Sequence, residues 1–311
     1  MKIAFVYAGQ GSQYVGMGKD LYEKYPTFRK AYDEAPVDFD LKTLCLEGPE
    51  EKLKQTRYTQ PCMVAFAVGM TDLLEEAGIQ PEMAAGLSLG EYSALYAAGA
   101  LDRKSVVELV AFRGKAMEEA AGDGEYGMQA CLNIGREALQ SACDEASDAG
   151  LVVICNYNCP GQLVISGEKA AVEKAAALAL EKGARRCIPL KVSGPFHTPF
   201  MKPAGDALRE RFQTVEFGQL QFPVIFNAIG RAKTAEETIP ELLEKQVQSS
   251  VWFEDSIRYM ESQGIDTVVE IGPGKALSGF IKKTTKNIKT YVVEDAASLE
   301  AVVSELKGAK E

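Results

Sequence analysis

The sequence predicts an α/β protein: a larger α/β domain with a smaller one inserted into it. Three observations carry that prediction. The apolar and charged fractions, 46% and 25% of 311 residues, are those of an ordinary globular chain with ample material for a buried core. Across residues 1–123, short apolar runs ending in glycine alternate with helical apolar periods. From about Gly124 to Leu190 that rhythm shortens, and longer helices then return.

Taken in order, "KIAFVYAG" reads as a buried first strand running into a glycine-rich loop. "PCMVAFAVGMTDLLEEAG" has a helical period, starts with Pro61 and closes at Gly78. "MAAG" is a short strand and "EYSALYAAGAL" a helix. "DRKSVVELVAFRGKAMEEAAG" is an amphipathic helix with an aspartate at its start and a glycine just past its end. In the shorter rhythm, "GMQACLNI" is a strand, "GREALQSACDEASDAG" a helix, and "LVVICNYN" and "GQLVISG" are two strands. "EKAAVEKAAALALEKG" is a second helix and "ARRCIPL" a last strand. That order, β-α-β-β-α-β, is the ferredoxin-like pattern. The boundaries that follow are 1–123 and 191–311 for the larger domain and 124–190 for the insert. "IDTVVEIGPG" supplies a late strand and turn.

Composition excludes several classes of function. A formal charge of −10 argues against a nucleic-acid binder, and any acidic partner needs a local basic patch. The first residues lack the long apolar region and cleavage site of a signal peptide, and no run of about 18 apolar residues predicts a spanning helix. The seven cysteines are scattered, with no CxxC pair and no histidine beside them. Reduced thiols in a cytoplasmic protein, without a metal site, are the expectation.

One motif carries chemistry. Gly86-Leu87-Ser88-Leu89-Gly90 fits G-x-S-x-G, the strand-to-helix elbow that lifts a serine hydroxyl out of the chain. Serine needs a neighbouring base, and the chain contains a single histidine, His197 in "KVSGPFHTPFM". An imidazole titrates near ~6.5, so it can take a proton at neutral pH and return it. A loop-capping histidine and a chance G-x-S-x-G are the bland alternatives. The glycine loop "AGQGSQ" is neither a dinucleotide fingerprint, since Tyr14 stands where a third glycine is needed, nor a phosphate loop, since "GKD" replaces G-K-S/T.

Eight blocks, "FVYAGQGSQYVGMG", "TQPCMVAFAVG", "GLSLGEYSAL", "LVAFRGKAM", "NYNCPGQLVISG", "VSGPFHTPFM", "QVQSSVWFEDSI" and "VEIGPGKALSGFIKK", run nearly end to end. In that order they resemble the malonyl-CoA:acyl carrier protein transacylases of fatty-acid and polyketide synthesis. The resemblance implies an α/β-hydrolase-like large subdomain with an inserted ferredoxin-like small one. It implies that Ser88 attacks malonyl-CoA and that His197 shuttles the proton. The backbone N–H groups of Gln10 and Leu89 would form the oxyanion hole. Arg113 matches the family's carboxylate-binding arginine, a role that suits a planar fork of donors. Gln246 matches the glutamine whose backbone carbonyl orients the histidine, and Gln60 another glutamine near the active site, or else a surface helix start.

Phe196 matches a position that goes with malonyl over methylmalonyl in polyketide members. No cofactor is expected to be bound permanently; malonyl-CoA and a phosphopantetheinylated acyl carrier protein are substrates. The carrier would dock on Arg185, Arg186 and Lys191 or on Lys282, Lys283 and Lys286. No membrane or nucleic acid is implied as a partner. Two departures stand out: Leu87, where most relatives carry histidine, bears on acyl specificity, and Ser250 replaces a frequent proline. The competing readings are a thioester hydrolase that edits misloaded carriers, and an inactive subunit of a synthase assembly. Arg113 and Phe196 argue against the first, and the intact set of site residues against the second.

Overall fold

The computed structural model describes residues 1–190 and 194–308. It contains β1 (Ile3–Tyr7), β2 (Met83–Gly86), β3 (Tyr126–Leu132), β4 (Val152–Cys159), β5 (Gln162–Glu168), β6 (Arg186–Pro189), β7 (Ile225–Phe226), β8 (Arg231–Ala232), β9 (Thr267–Ile271) and β10 (Lys289–Val293). The chain forms two compact units. One comprises Met1–Lys115, Val215–Ile225 and Tyr259–Glu311, the other Ala116–Thr214 and Phe226–Arg258.

In the first unit a four-stranded sheet runs in the order β10-β9-β1-β2, every pair parallel. All five residues of β1 are buried. A parallel sheet covered on both faces demands a continuous apolar run, which is why "IAFVY" shows no alternation. The register pairs Tyr7 with Gly86 on one side and with Ile271 on the other. The loops that follow β1, β2 and β9 therefore leave the same edge, the carboxyl end where open α/β sheets place their ligands. The edge strand β10 escapes a period-based reading, because Lys289, Thr290 and Tyr291 are exposed or half-buried and mixed in polarity.

The helix expected to begin at Pro61 begins at Thr56 and runs to Glu76. Pro61 sits in its second turn and forfeits one backbone hydrogen bond. Nearly every residue from Thr59 to Leu74 is buried, so packing outweighs that local loss. The next long helix, Arg103–Ala121, meets expectation: the Asp102 carboxylate accepts the Ser105 N–H at 2.7 Å, and Gly122 follows with φ 54°.

The second unit holds an antiparallel sheet in the order β4-β5-β3-β6. Its elements follow the chain as β3, helix Arg136–Glu145, β4, β5, helix Lys169–Glu181 and β6. Leu139, Ile154, Leu163, Ile165 and Val172 are at the heart of its core. This unit extends well beyond 124–190, for reasons residing in β4. Val251 donates to the Cys155 carbonyl and its own carbonyl accepts from Tyr157, both at 2.9 Å. Trp252 stacks on Tyr157 with centroids 4.1 Å apart and planes 4° from parallel. The Arg136 guanidinium lies 4.9 Å from the Tyr157 ring and 5.7 Å from Trp252, and pairs with Asp255 at 2.7 Å. Ser250, the departure from proline, donates its hydroxyl to the Ile154 carbonyl at 2.7 Å, a bond proline cannot make. Pairing across about a hundred residues is invisible to local periodicity.

All seven cysteines are free thiols, all but Cys187 buried. No described helix is long and apolar enough to cross a membrane.

Candidate active site

The elbow is built by β2, three residues and the helix Gly90–Ala97. Ser88 has φ 51°, the left-handed region that a non-glycine residue rarely enters. Both bracketing glycines are obligatory. A Cβ on Gly86 would come within 2.0 Å of the Gly90 carbonyl carbon, and one on Gly90 within 2.2 Å of the Tyr7 carbonyl oxygen. The turn is closed by Leu87 N–H on the Tyr7 carbonyl and by Glu91 N–H on the Ser88 carbonyl, at 3.0 and 3.1 Å.

The glycine loop after β1 passes directly over this elbow. A Cβ on Gly9 would lie 2.6 Å from the Leu87 carbonyl oxygen, so only glycine allows the approach. Gln10 fixes its own side chain by donating Nε2 to Thr56 Oγ1 at 2.9 Å. Among the described residues, neither the Gln10 N–H nor the Leu89 N–H has a protein acceptor. Leu89 follows Ser88 directly before the helix Gly90–Ala97, and Gln10 follows Gly9, which abuts Leu87.

Arg113 enters from the helix Arg103–Ala121. Gly114 beside it lets that helix close on Thr56, where a Cβ would stand 2.8 Å from the Thr56 carbonyl oxygen. The guanidinium is 1% exposed. Its Nη1 donates to Gln60 Oε1 at 2.9 Å and its Nη2 to Ser88 Oγ at 3.2 Å. Gln60, fully buried inside its helix, is therefore no surface helix start. Burial pulls the Arg113 proton affinity down, while Tyr92 and Glu91 oppose the shift. The Tyr92 ring centre is 5.3 Å from the guanidinium carbon. The sequence reading missed Glu91 and Tyr92, both fully buried. The available signal was a glutamate inside the otherwise apolar run "EYSALYAAGA".

In the second unit, His197 is 4% exposed and also has a positive φ, 60°. Its Nδ1 lies 2.8 Å from the Gln246 carbonyl oxygen. A carbonyl can only accept, so Nδ1 carries the hydrogen and the neutral ring keeps its lone pair on Nε2. The turn is braced by Thr198, whose hydroxyl donates to the Pro195 carbonyl at 2.6 Å. Gln246 lies in the helix Ile239–Gln248, started by a capping box of Thr238 and Glu241. Phe196 is buried against Gly194, where a Cβ would come 3.1 Å from the ring.

Leu87 is half-buried in the elbow. Arg185 and Arg186 are exposed at the start of edge strand β6, whereas Lys191 lies outside the described residues. Lys282, Lys283 and Lys286 are exposed around the end of the helix Ala276–Thr284. Among the described residues, no group of three or more acidic, cysteine or histidine side chains could hold a metal ion.

Residues 4–308 match the acyl transferase domain family. The chain is 44% identical over 309 residues to the malonyl CoA-acyl carrier protein transacylase of Bacillus subtilis (strain 168), covering 98% of both. It superposes on the crystal structure of MCAT from Streptococcus pneumoniae with a TM-score of 0.93 and 48% identity, over 98% of this chain and 100% of that one. A malonyl-transacylase in complex with a type II PKS acyl-carrier protein gives a TM-score of 0.95 at 38% identity, over 98% and 100%. With its serine elbow and buried arginine in place along the full length of these relatives, the chain belongs to the malonyl-CoA:acyl carrier protein transacylase family of acyltransferases.

Proposed function

We propose that this chain moves the malonyl group of malonyl-CoA to the phosphopantetheine thiol of an acyl carrier protein, by way of a malonyl ester on Ser88. Ser88 Oγ bonds to the thioester carbon as its proton passes to His197 Nε2, while Nδ1–H stays on the Gln246 carbonyl. The carbonyl oxygen takes up the negative charge, stabilised by the N–H groups of Gln10 and Leu89; losing one such donor costs about 2.7–4 kcal/mol of barrier. Collapse breaks the carbon–sulfur bond, and the imidazolium returns the proton to the CoA sulfur. The carrier thiol then repeats the sequence in reverse and leaves Ser88 free.

The observation that carries this reading is Arg113, buried and within hydrogen-bond reach of Ser88 Oγ. The malonyl carboxylate is separated from the acyl carbon by one methylene, so a cation beside Oγ can reach it. Gln60 holds the guanidinium for that contact. An esterase of simple acyl groups has no use for a charge there. Phe196 and Leu87 are the residues that shape acyl selectivity in this reading, and no resident cofactor takes part.

The same reading makes the unit with the parallel sheet an α/β-hydrolase-like subdomain, and the segment 124–190 within the other unit a ferredoxin-like one. The strand order β4-β5-β3-β6 supports it. It places the protein in the cytoplasm. The carrier, acidic as a class, meets Arg185 and Arg186 with Lys191, or Lys282, Lys283 and Lys286.

The test is intact mass spectrometry after brief mixing with malonyl-CoA or acetyl-CoA. A malonyl adduct should form, vanish in Ser88→Ala and discharge when carrier protein is added. Salt should slow the discharge and leave loading unchanged. Free acid in place of an adduct would turn the reading into a hydrolase.

A further inference from the structure

We propose that Glu270 is a positioning residue for the Gln10 N–H, acting through the turn at residues 271–275. The proposal rests on the reading of that N–H as an oxyanion donor. Glu270 lies one residue before the end of β9, opposite Val6 of β1, and is 1% exposed. Its two carboxylate oxygens accept the N–H groups of Leu277 and Ser278 at 2.9 and 2.7 Å. Those are first-turn donors of the helix Ala276–Thr284, whose own N-cap, Lys275, offers no side-chain acceptor. The cap that usually comes from the preceding residue here comes from the sheet. Burial pushes the Glu270 carboxyl up, and the bonds from Ser278 and Leu277 oppose it.

The turn so clamped is the seat of the glycine loop. Ala8 N–H donates to the Ile271 carbonyl at 3.0 Å. Gly272, at φ 133°, abuts Ala8 so closely that a Cβ would lie 2.6 Å from the alanine Cβ. Gly274, at φ 85°, donates its N–H to Glu294 Oε2 at 2.7 Å. Ala8 leads directly into Gly9-Gln10-Gly11, so the loop starts from a turn held from beneath by Glu270 and from the side by Glu294. Two left-handed glycines give that turn no rigidity of its own. Its height under Gln10 is set by the carboxylates.

Glu270→Gln keeps the shape but turns one acceptor into a donor that faces an N–H. The single-turnover rate of Ser88 malonylation should fall about tenfold to a hundredfold, the size expected when an oxyanion donor is displaced and not removed. The KM for malonyl-CoA should stay within about twofold, because the displaced donor acts on the transition state. Hydrogen exchange should quicken in peptides covering 8–12 and 271–278 and stay unchanged elsewhere. Should Glu270→Gln fail to fold, Glu294→Ala, which takes away the acceptor of the Gly274 N–H, should show the same pattern at smaller amplitude. A wild-type loading rate in a variant with quickened exchange overturns the proposal. So does a fall in rate matched by a rise in KM or by exchange throughout the chain. If the wild-type protein takes no malonyl adduct at all, the underlying reading fails instead, whatever Glu270 does.

Discussion

Replacing Arg113 by lysine keeps the positive charge and removes the fork. In the structure the two terminal nitrogens are divided between Gln60 Oε1 and Ser88 Oγ, at 2.9 and 3.2 Å. One ammonium cannot both satisfy buried Gln60 and hold the two oxygens of a malonyl carboxylate. At least one charge-assisted hydrogen bond is lost, worth about 1.5–3 kcal/mol. At 1.4 kcal/mol per factor of ten, the loading kcat/KM for malonyl-CoA should fall about 10- to 150-fold. Acetyl-CoA, with no carboxylate, should load within about threefold of the wild-type rate, so the preference between the two substrates collapses. The assay is stopped-flow mixing read by intact mass, with denaturant midpoints measured alongside. An equal fall for both substrates would falsify the clamp and make Arg113 a prop for the elbow. An unchanged malonyl rate would mean that the carboxylate is bound elsewhere.

Two further outcomes follow from packing and titration. Gly90→Ala drives a methyl to 2.2 Å from the Tyr7 carbonyl oxygen, and backbone cannot swing aside as a side chain does; chemical denaturation should show a loss of about 3 kcal/mol or more, and a wild-type midpoint would refute the close approach of β1 to the elbow. Burial pushes the Cys143 thiol up to about 12, so the folded chain keeps a proton that the unfolded chain sheds near its ordinary value of 9.0. The native state then holds more protons between those limits, and stability should fall as pH rises through them, by up to about 1.4 kcal/mol per pH unit from this group. Urea midpoints from pH 8 upward should drop less steeply in Cys143→Ala, and parallel slopes would show that Cys143 titrates normally.

The sequence disclosed those parts of the molecule that are written locally. G-x-S-x-G announced the elbow because two close backbone contacts and a left-handed serine leave almost no other residues usable at Gly86 and Gly90. The shortened rhythm between 124 and 190 announced the antiparallel sheet, since short apolar runs bounded by glycine alternate there with two helices, although β4 and β5 are buried almost throughout and show no alternation. The helix at Thr56 was misjudged because proline propensity was weighed without the burial that overrides it. Glu91 and Tyr92 were passed over because their importance lies in nearness to Arg113, about twenty residues away in sequence and known only once two helices cross. The extension of the second unit to Val251 and Trp252 had no local signature either, being a pairing made by β4 at long range.

That pairing also gives the chain an optical reporter. Trp252 is its one tryptophan, sandwiched by stacking against Tyr157 with a guanidinium at the rings. Leaving the stack on Tyr157 for water changes the surroundings of the indole, so intrinsic fluorescence should shift when β4 lets go of residue 252. Circular dichroism, by contrast, sums over every helix in the chain. Melting curves recorded both ways will coincide if the protein unfolds in one step and separate if the antiparallel sheet melts by itself. A single aromatic pair thus lets the cooperativity of the whole chain be read without a label.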